Sequence, residues 1–528
     1  MSGADVVIIG SGINALVCGA MLSLRGQRVL LLERNDVAGG CIRTEELTLP
    51  GFRHDTLSTL YPLFVTSPHY GELGPALARH GLRFVNTDAP TALLRSDGSA
   101  LLFRTDREAN VAALDAAAPG DGEAYRRAMQ AVEADAGLIF GLLGGELWSW
   151  PTIKLLLVEA RRRGLKGLAA FFGKALRSTR GWLSQDFTSP VARGLFAPWV
   201  LHVGLSPESS MSALMNRLVL FSLEAVGAPM VEGGSDRIVA AFRALIEERG
   251  GAIRTGADVQ AIEVSGGKAT GVRLAGGERI AARRAVVASV TPTQLYDRLL
   301  ADVDVPQPVR KEAAAFQYGR GEMQIHLALS SPPEWPDPSL AKVAMLHVTN
   351  GLDAVSRAVN EAERGLLPAE ATIVVAQPTA IDPSRAPEGK AILWIQLQEL
   401  PRNGELKGDA LGKIPVPADG RWTEAVREAY ADRIVDRLCA LSPGLRERII
   451  GRHAISPADL EALNCNLVGG DPYGGLCSID QFMLWRPQAV PSRHDTPVKA
   501  LYQIGASTHP GPGLGGMSGY MAARRIVG

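Results

Sequence analysis

The first forty residues constrain the fold more than any other part of the chain. Asp5-Val-Val-Ile-Ile-Gly10 is a run of β-branched residues with no polar alternation, so it reads as a strand covered on both faces, as in a parallel sheet. It is followed by Gly10-Ser-Gly12-Ile-Asn-Ala15, a helical stretch over Ile13 to Arg25 stopped by Gly26, and a second apolar strand, Val29-Leu-Leu-Leu-Glu33. Each small residue of this G-x-G-x-x-A turn has a physical task. Gly10 permits the tight turn, Gly12 lets backbone approach a pyrophosphate, and Ala15 allows close helix–strand packing. The helix N-terminus offers free N–H groups and a partial positive charge to phosphates. Glu33 lies 23 positions after Gly10, where a carboxylate can accept the ribose hydroxyl protons. Strand, turn, helix, strand and terminal acid together predict a dinucleotide-binding β–α–β unit.

Two further features favour FAD over a nicotinamide cofactor. Arg34 precedes Ala38-Gly39-Gly40-Cys41-Ile42-Arg43-Thr44, which can wrap backbone and a cation around the far side of the pyrophosphate. The competing reading is an ordinary Gly-Gly turn with a solvated Arg43. At the other end of the chain, Leu501 to Gly505 is a strand ending in glycine, followed by a glycine-rich loop and a short helix from about Met517 to Ile526. That is a second helix N-terminus aimed at an electron-rich group. Gly511, Gly513 and Gly516 formally repeat the fingerprint, but only 12 residues follow Gly516, too few for another β–α–β unit.

These segments resemble the phytoene desaturase-like FAD-dependent oxidoreductases, in the branch named for pyridine nucleotide-disulfide oxidoreductase domain-containing protein 2. The resemblance covers Val7 to Leu16, Glu33-Arg34, Gly39-Gly40, Pro50 to Asp55, Pro198 to Pro207, Glu232 to Asp236, and Tyr502 to Gly516. It implies an α/β fold with a Rossmann-like FAD-binding domain of glutathione-reductase type and a mixed α+β substrate cap. By position in the family motif it implies that Gly10, Gly12, Ala15, Glu33, Arg34, Gly39, Gly40 and Arg43 bind cofactor, and that Val259 meets the adenine end through its backbone. It likewise places Gly505, Ala506, Gly515, Gly516, Met517 and Ser518 near the ribityl chain and flavin ring. The chain departs from the family pattern at Ala15, where the third glycine stands, and in Gly511-Pro-Gly-Leu-Gly-Gly516.

At 528 residues the chain should form two or three packed regions. The expected FAD domain is discontinuous, over 1–75, 225–300 and 480–528, with the cap over 76–224 and 301–479. The polar loop Asn464 to Gly475 is placed by resemblance in the cap near the flavin, with an ordinary connector as the other reading. From Pro151 to Leu183, eight Lys/Arg stand against the single acid Glu159 and interleave with Leu, Phe and Trp. This 151–183 segment is either a cap helix with a solvated basic face or an amphipathic helix in peripheral contact with a membrane. Over the whole chain charge is balanced, with 55 Lys+Arg against 55 Asp+Glu, which argues against general nucleic-acid binding. Five scattered cysteines without C-x-x-C spacing fit a reducing, cytoplasmic setting, and no histidine spacing suggests a metal site. Only five residues precede the first apolar run, Val6 to Ile9, which leaves no room for a signal peptide, and no stretch is long and apolar enough for a transmembrane helix.

The expected chemistry is hydride transfer from an apolar substrate to flavin, giving desaturation or isomerisation, with oxygen or a quinone as electron acceptor because no second nucleotide domain is visible. Proton removal points to His509, His54, Asp55 and His202 at flavin-facing family positions, with His509 best placed. His54-Asp55 also reads as a local backbone cap, His202 as a core histidine and His509 as a shaper of the glycine loop. Competing functions are an amine-oxidase-like flavoenzyme, an FAD-holding interaction protein without turnover, and an aromatic hydroxylase.

Overall fold

The computed structural model describes residues 4–487 and 493–528. The expected domain limits at residue 1 and the stretch 488–492 lie outside the described residues.

β1 (Ala4–Ile9), α1 (Ile13–Leu24) and β2 (Val29–Leu32) form the opening β–α–β unit. β1 lies parallel to β2, with Val6 opposite Val29 and Ile9 opposite Leu32. Its two faces enter different cores, as a strand without polar alternation requires. Val6 and Ile8 pack with α1, the helix Asp236–Glu248 and the last helix, Met517–Val527. Val7 and Ile9 pack on the other side against the meander Val259–Ser265, Lys268–Leu274 and Arg279–Ser289. The strand Arg279–Ser289 has two uses. Its first residues pair antiparallel within the meander, and Ala285 to Ser289 lie parallel to β1 and to Leu501–Ile504. Ala252–Arg254 closes the sheet beyond β2.

The two ends of the described chain meet on this sheet. Added Cβ atoms at Gly516 and Gly519 would lie 2.5 Å from Val17 Cγ2 and 1.9 Å from the Asn14 carbonyl oxygen. Only glycine lets the last helix pack against α1 this closely.

A second, seven-stranded sheet holds the other layer. Its order is Ile449–Ile455, Gly321–Leu329, Ala391–Leu400, Ile373–Ala376, Met345–Val348, Thr91–Leu94 and Ala100–Phe103. Its apolar face buries Met323, Ile325, Leu327, Leu393, Ile395 and Leu397 with Tyr430, Ile434 and Leu438 of the helix Glu424–Leu441.

The packing moves three of the expected boundaries. The helix Tyr70–Arg79 and Leu82 pack into the nucleotide-side core, and Phe84-Val85 pairs with Met230-Val231, so the chain leaves that side near residue 85 and not at 75. Val305 and Ala313 pack under the meander, which carries the second crossing past 300. Phe482 belongs to the cap core although it lies beyond 479. Short connecting helices take the side onto which their few apolar residues dock, and no local pattern shows which sheet that is.

The basic segment also differs from one continuous amphipathic stretch. The helix Trp150–Ala175 is interrupted at Gly164 (φ 73°, ψ 162°), and a separate helix, Thr179–Asp186, buries Trp182 in the cap core. The exposed part therefore ends near Leu176. No described helix is long and apolar enough to cross a membrane, and the described residues contain no cluster of His, Cys, Asp and Glu that could hold a metal ion.

Candidate functional site

The site starts from one hydroxyl. Ser11, between the two fingerprint glycines, donates to Glu33 Oε2 at 2.6 Å and accepts the Gly39 N–H at 2.9 Å. The Asn35 N–H donates to Glu33 Oε1 at 3.0 Å. The first turn, the acid ending β2 and the second glycine pair are thus held together. Gly39 (φ +125°) and Gly40 (φ +60°) are conformationally required, and an added Cβ on Gly40 would lie 3.1 Å from Gly12 Cα, so the two loops touch.

Gly12 is different. Its φ of −65° suits any residue, and an added Cβ would meet no atom within 4 Å. Neither backbone strain nor protein packing calls for glycine, and the space in front of it belongs to a cavity. α1 begins there with no side-chain cap and no acid in its first turn, which leaves its N-terminal dipole open to a ligand anion. A pyrophosphate fits this cradle, with Glu33 placed to receive ribose hydroxyls.

The cavity runs from this nucleotide end into the cap. Gly10, Gly12, Glu33, Arg34, Gly39, Gly40, Val259, Gly505 and Ala506 line it, as does the loop Asn464 to Leu467 together with Pro472, Tyr473 and Gly474. The expected residues Ala15, Arg43, Gly515, Gly516, Met517 and Ser518 stand outside the lining. Ala15 is buried in the core. Arg43 turns onto the short ribbon Thr44-Glu45 and pairs with Glu45 at 2.7 Å. Gly515 and Gly516 press against Leu63 and Val17. Met517 begins the last helix, with its Cε near Gly144, and the Ser518 hydroxyl bonds Thr508 and accepts the Gly505 N–H, pinning the closing loop from behind.

Three of the four candidate proton acceptors also lie off the cavity. His54 bonds the Thr48 hydroxyl at 2.8 Å, and burial draws its pKa down to about 3. Asp55 is fully buried and pairs with Arg385 at 2.7 Å, while accepting Thr44, Thr59 and the Ser235 N–H. His509 is held by the Leu142 and Gly145 carbonyls, with its pKa lowered to about 4 by burial. All three are structural ties. Only His202 lines the cavity. It bonds His347 ring to ring at 2.9 Å and stacks near Trp199, and burial pulls its pKa to about 3, so it is neutral at pH 7.

A carboxylate that sequence reasoning missed stands in the cavity wall. Glu322 is 4% exposed, accepts Tyr473 Oη–H at 2.9 Å and Gln396 Nε2–H at 2.8 Å, and is lifted by burial to about 8. Its neighbours across the wall are Gln324 and Gln398. The available signal was the alternation Glu322-Met-Gln-Ile-His326 beside Trp394-Ile-Gln-Leu-Gln398, two strands with one polar face each.

Two outcomes follow from this geometry. Gly12→Val should weaken FAD binding about 100-fold or more, measured by flavin fluorescence, while leaving the melting temperature of the cofactor-free protein within error, because the new methyl groups enter only the cavity. Glu322→Gln should change stability with pH in a defined direction. A carboxyl raised above its unfolded value stabilises below about pH 4.5, and that contribution is lost as pH rises through about 8. Wild type and variant should therefore match near pH 4, and the variant should be more stable at pH 9 by on the order of 5 kcal/mol in denaturant titrations.

Residues 16–397 match the family model for flavin containing amine oxidoreductase. The chain is 28% identical to pyridine nucleotide-disulfide oxidoreductase domain-containing protein 2 of Rattus norvegicus, over 99% of this chain and 93% of that protein. It is 26% identical to the neurosporene-forming phytoene desaturase of Cereibacter sphaeroides, over 98% of this chain and 93% of that one. Among solved structures, cyclohexylamine oxidase from Brevibacterium oxydans shares the fold at a TM-score of 0.57 and 16% identity, covering 99% of this chain and 98% of its own. With a dinucleotide cradle at one end of its cavity and a family match across most of its length, the chain belongs to the flavin-containing amine oxidoreductases and is an FAD-dependent oxidoreductase.

Proposed function

We propose that this oxidoreductase dehydrogenates or isomerises an apolar, lipid-like substrate at a carbon–carbon bond. The observation that carries this reading is the character of the cap end of the cavity. Leu60, Leu63, Val203, Val219, Leu223, Met345 and Trp394 supply apolar walls. Glu322 is favoured in its neutral form at pH 7, so a protonated amine would find no full negative charge there. The similarity to a phytoene desaturase supports the same chemistry.

Bound FAD would supply a hydride acceptor at flavin N5. The chain's own residues hold the cofactor by the Gly10–Gly12 turn, Glu33 and the Gly39-Gly40 loop, and exclude water with the apolar cap wall. Glu322, hydrogen-bonded to Tyr473 and Gln396, is the cavity-wall group that could take or return a proton near neutral pH. Oxygen or a quinone is the proposed electron acceptor. Under anaerobic conditions, phytoene in detergent should bleach the flavin of the loaded enzyme and cyclohexylamine should not; air or a soluble quinone should restore the colour. Bleaching by the amine alone would replace this reading with amine oxidation.

The same reading extends to peripheral membrane contact. Trp148, Trp150, Leu157 and Leu165 are 58–79% exposed along the helix Trp150–Ala175 and its entry. Lys154, Arg161, Lys166 and Lys174 are exposed on the same helix and carry no ion pair among the described residues. An apolar surface with interleaved cations suits an anionic bilayer interface. In flotation assays the protein should rise with vesicles containing phosphatidylglycerol, and Trp150→Glu with Leu165→Glu should abolish this. A protein that stays at the bottom with both anionic and neutral vesicles refutes the contact.

A further inference from the structure

The two central strands of the cap sheet, Gly321–Leu329 and Ala391–Leu400, are buried on both faces, yet one face is polar. Met323, Ile325, Leu393, Ile395 and Leu397 point into the apolar core. Glu322, Gln324, Gln396 and Gln398 point the other way and line the cavity. The strands are paired with Gln324 opposite Gln396. Adjacent strands lie about 4.8 Å apart and same-face neighbours along a strand about 6.8 Å apart, so these four side chains form one compact patch.

Part of the patch satisfies itself and part does not. Glu322 is bonded by Tyr473 and Gln396, and Gln398 Nε2 donates to Tyr473 Oη at 3.1 Å. Gln324 Oε1 and Gln398 Oε1 are buried without a partner, as is Nε1–H of Trp394, which follows on the same strand face. Gln324 and Gln398 are 1% and 2% exposed and Trp394 is 3% exposed. Each buried polar atom left unmatched costs about 1–3 kcal/mol, which makes three together on a cavity wall a site for a missing partner.

We propose that this patch binds the hydroxyl end of an otherwise apolar, lipid-like alcohol. The assignment rests on the reading of the cavity as an apolar-substrate site and adds a polar end-group to it. A hydroxyl is both donor and acceptor, and the patch offers both kinds of free group: the acceptors Gln324 Oε1 and Gln398 Oε1, and the donors Trp394 Nε1–H and the Gln324 amide. An ammonium group could use only the acceptors and would meet a carboxyl that is neutral at pH 7. A carboxylate would meet the acceptors unfavourably, and the arginines lining the cavity, Arg34 and Arg298, line it with the nucleotide-end residues Glu33 and Val259; Arg298 itself donates to the Val259 carbonyl. A hydrocarbon leaves all of these groups unmatched.

The test needs binding and no turnover. FAD-loaded full-length protein is titrated at pH 7 with 1-hexadecanol, hexadecane, hexadecylamine and palmitate in one detergent, with bound ligand followed by tryptophan and flavin fluorescence. The alcohol should bind roughly ten-fold or more tightly than the alkane, and the amine and acid no more tightly than the alkane. Gln324→Leu with Gln398→Leu should bring the alcohol to within about two-fold of the alkane, with FAD content and alkane affinity unchanged. Equal affinity for alcohol and alkane in the wild type, a preference for the amine or acid, or loss of FAD in the double variant each overturns the proposal. Should the double variant fail to fold, the wild-type ratio decides alone. Failure of phytoene to bleach the flavin would instead count against the dehydrogenation reading and leave this ratio to be judged by itself.

Discussion

The Ser11 hydroxyl is the contact on which the geometry of the site depends. With one donated and one accepted hydrogen bond it joins the fingerprint turn, the acid at the end of β2 and the second glycine loop. A hydrogen bond to a charged group contributes about 1.5–3 kcal/mol, and here it also fixes the direction of the Glu33 carboxylate. Gly40 can then approach Gly12 closely enough to form the near wall of the cradle. The last helix packs the arrangement from behind through Gly516 and Gly519, so the cradle formed by the first forty residues is backed by the final thirty.

A second tie joins this half to the cap. Asp55 and Arg385 are both fully buried, and Asp55 also holds the backbone at Ser235. Three segments distant in sequence meet at one carboxylate. Removing one member of a buried pair typically costs 3–5 kcal/mol because the other charge is left uncompensated. That role accounts for Pro50 to Asp55 and Glu232 to Asp236 standing out as motif segments although His54 and Asp55 do not reach the cavity.

The cap contributes a different kind of surface. A sheet buried on both faces would be cheapest with two apolar faces, as in β1. The strands Gly321–Leu329 and Ala391–Leu400 instead bury a polar face toward the cavity, and the energetic cost of unmatched amide and indole groups is what marks that face as functional.

Local physics made the nucleotide end readable. Backbone conformation, helix-terminal dipole and residue size act within a few positions, so the gathering of Gly10, Gly12, Glu33, Gly39 and Gly40 at one end of a cavity followed from the order of residues. The parallel sheet and the buried strand Leu501–Ile504 were legible for the same reason. The outer members of the motifs were less so: Arg43 follows the cavity residue Ile42 and Ser518 stands four positions past the cavity residue Leu514, but pairing with Glu45 and Thr508 holds them off the cavity. His54 and His509 lie off the cavity and His202 lines it, a division invisible in sequence because a histidine near a motif looks the same whether it faces a cavity or a buried hydrogen-bond partner. What only the tertiary structure decided was which side of the cap sheet faces the cavity. Strand alternation shows that Glu322, Gln324, Gln396 and Gln398 share their strands' polar faces, but pairing across some seventy residues and the docking of the helix Glu424–Leu441 on the opposite face are long-range packing events, and these turned that polar face inward.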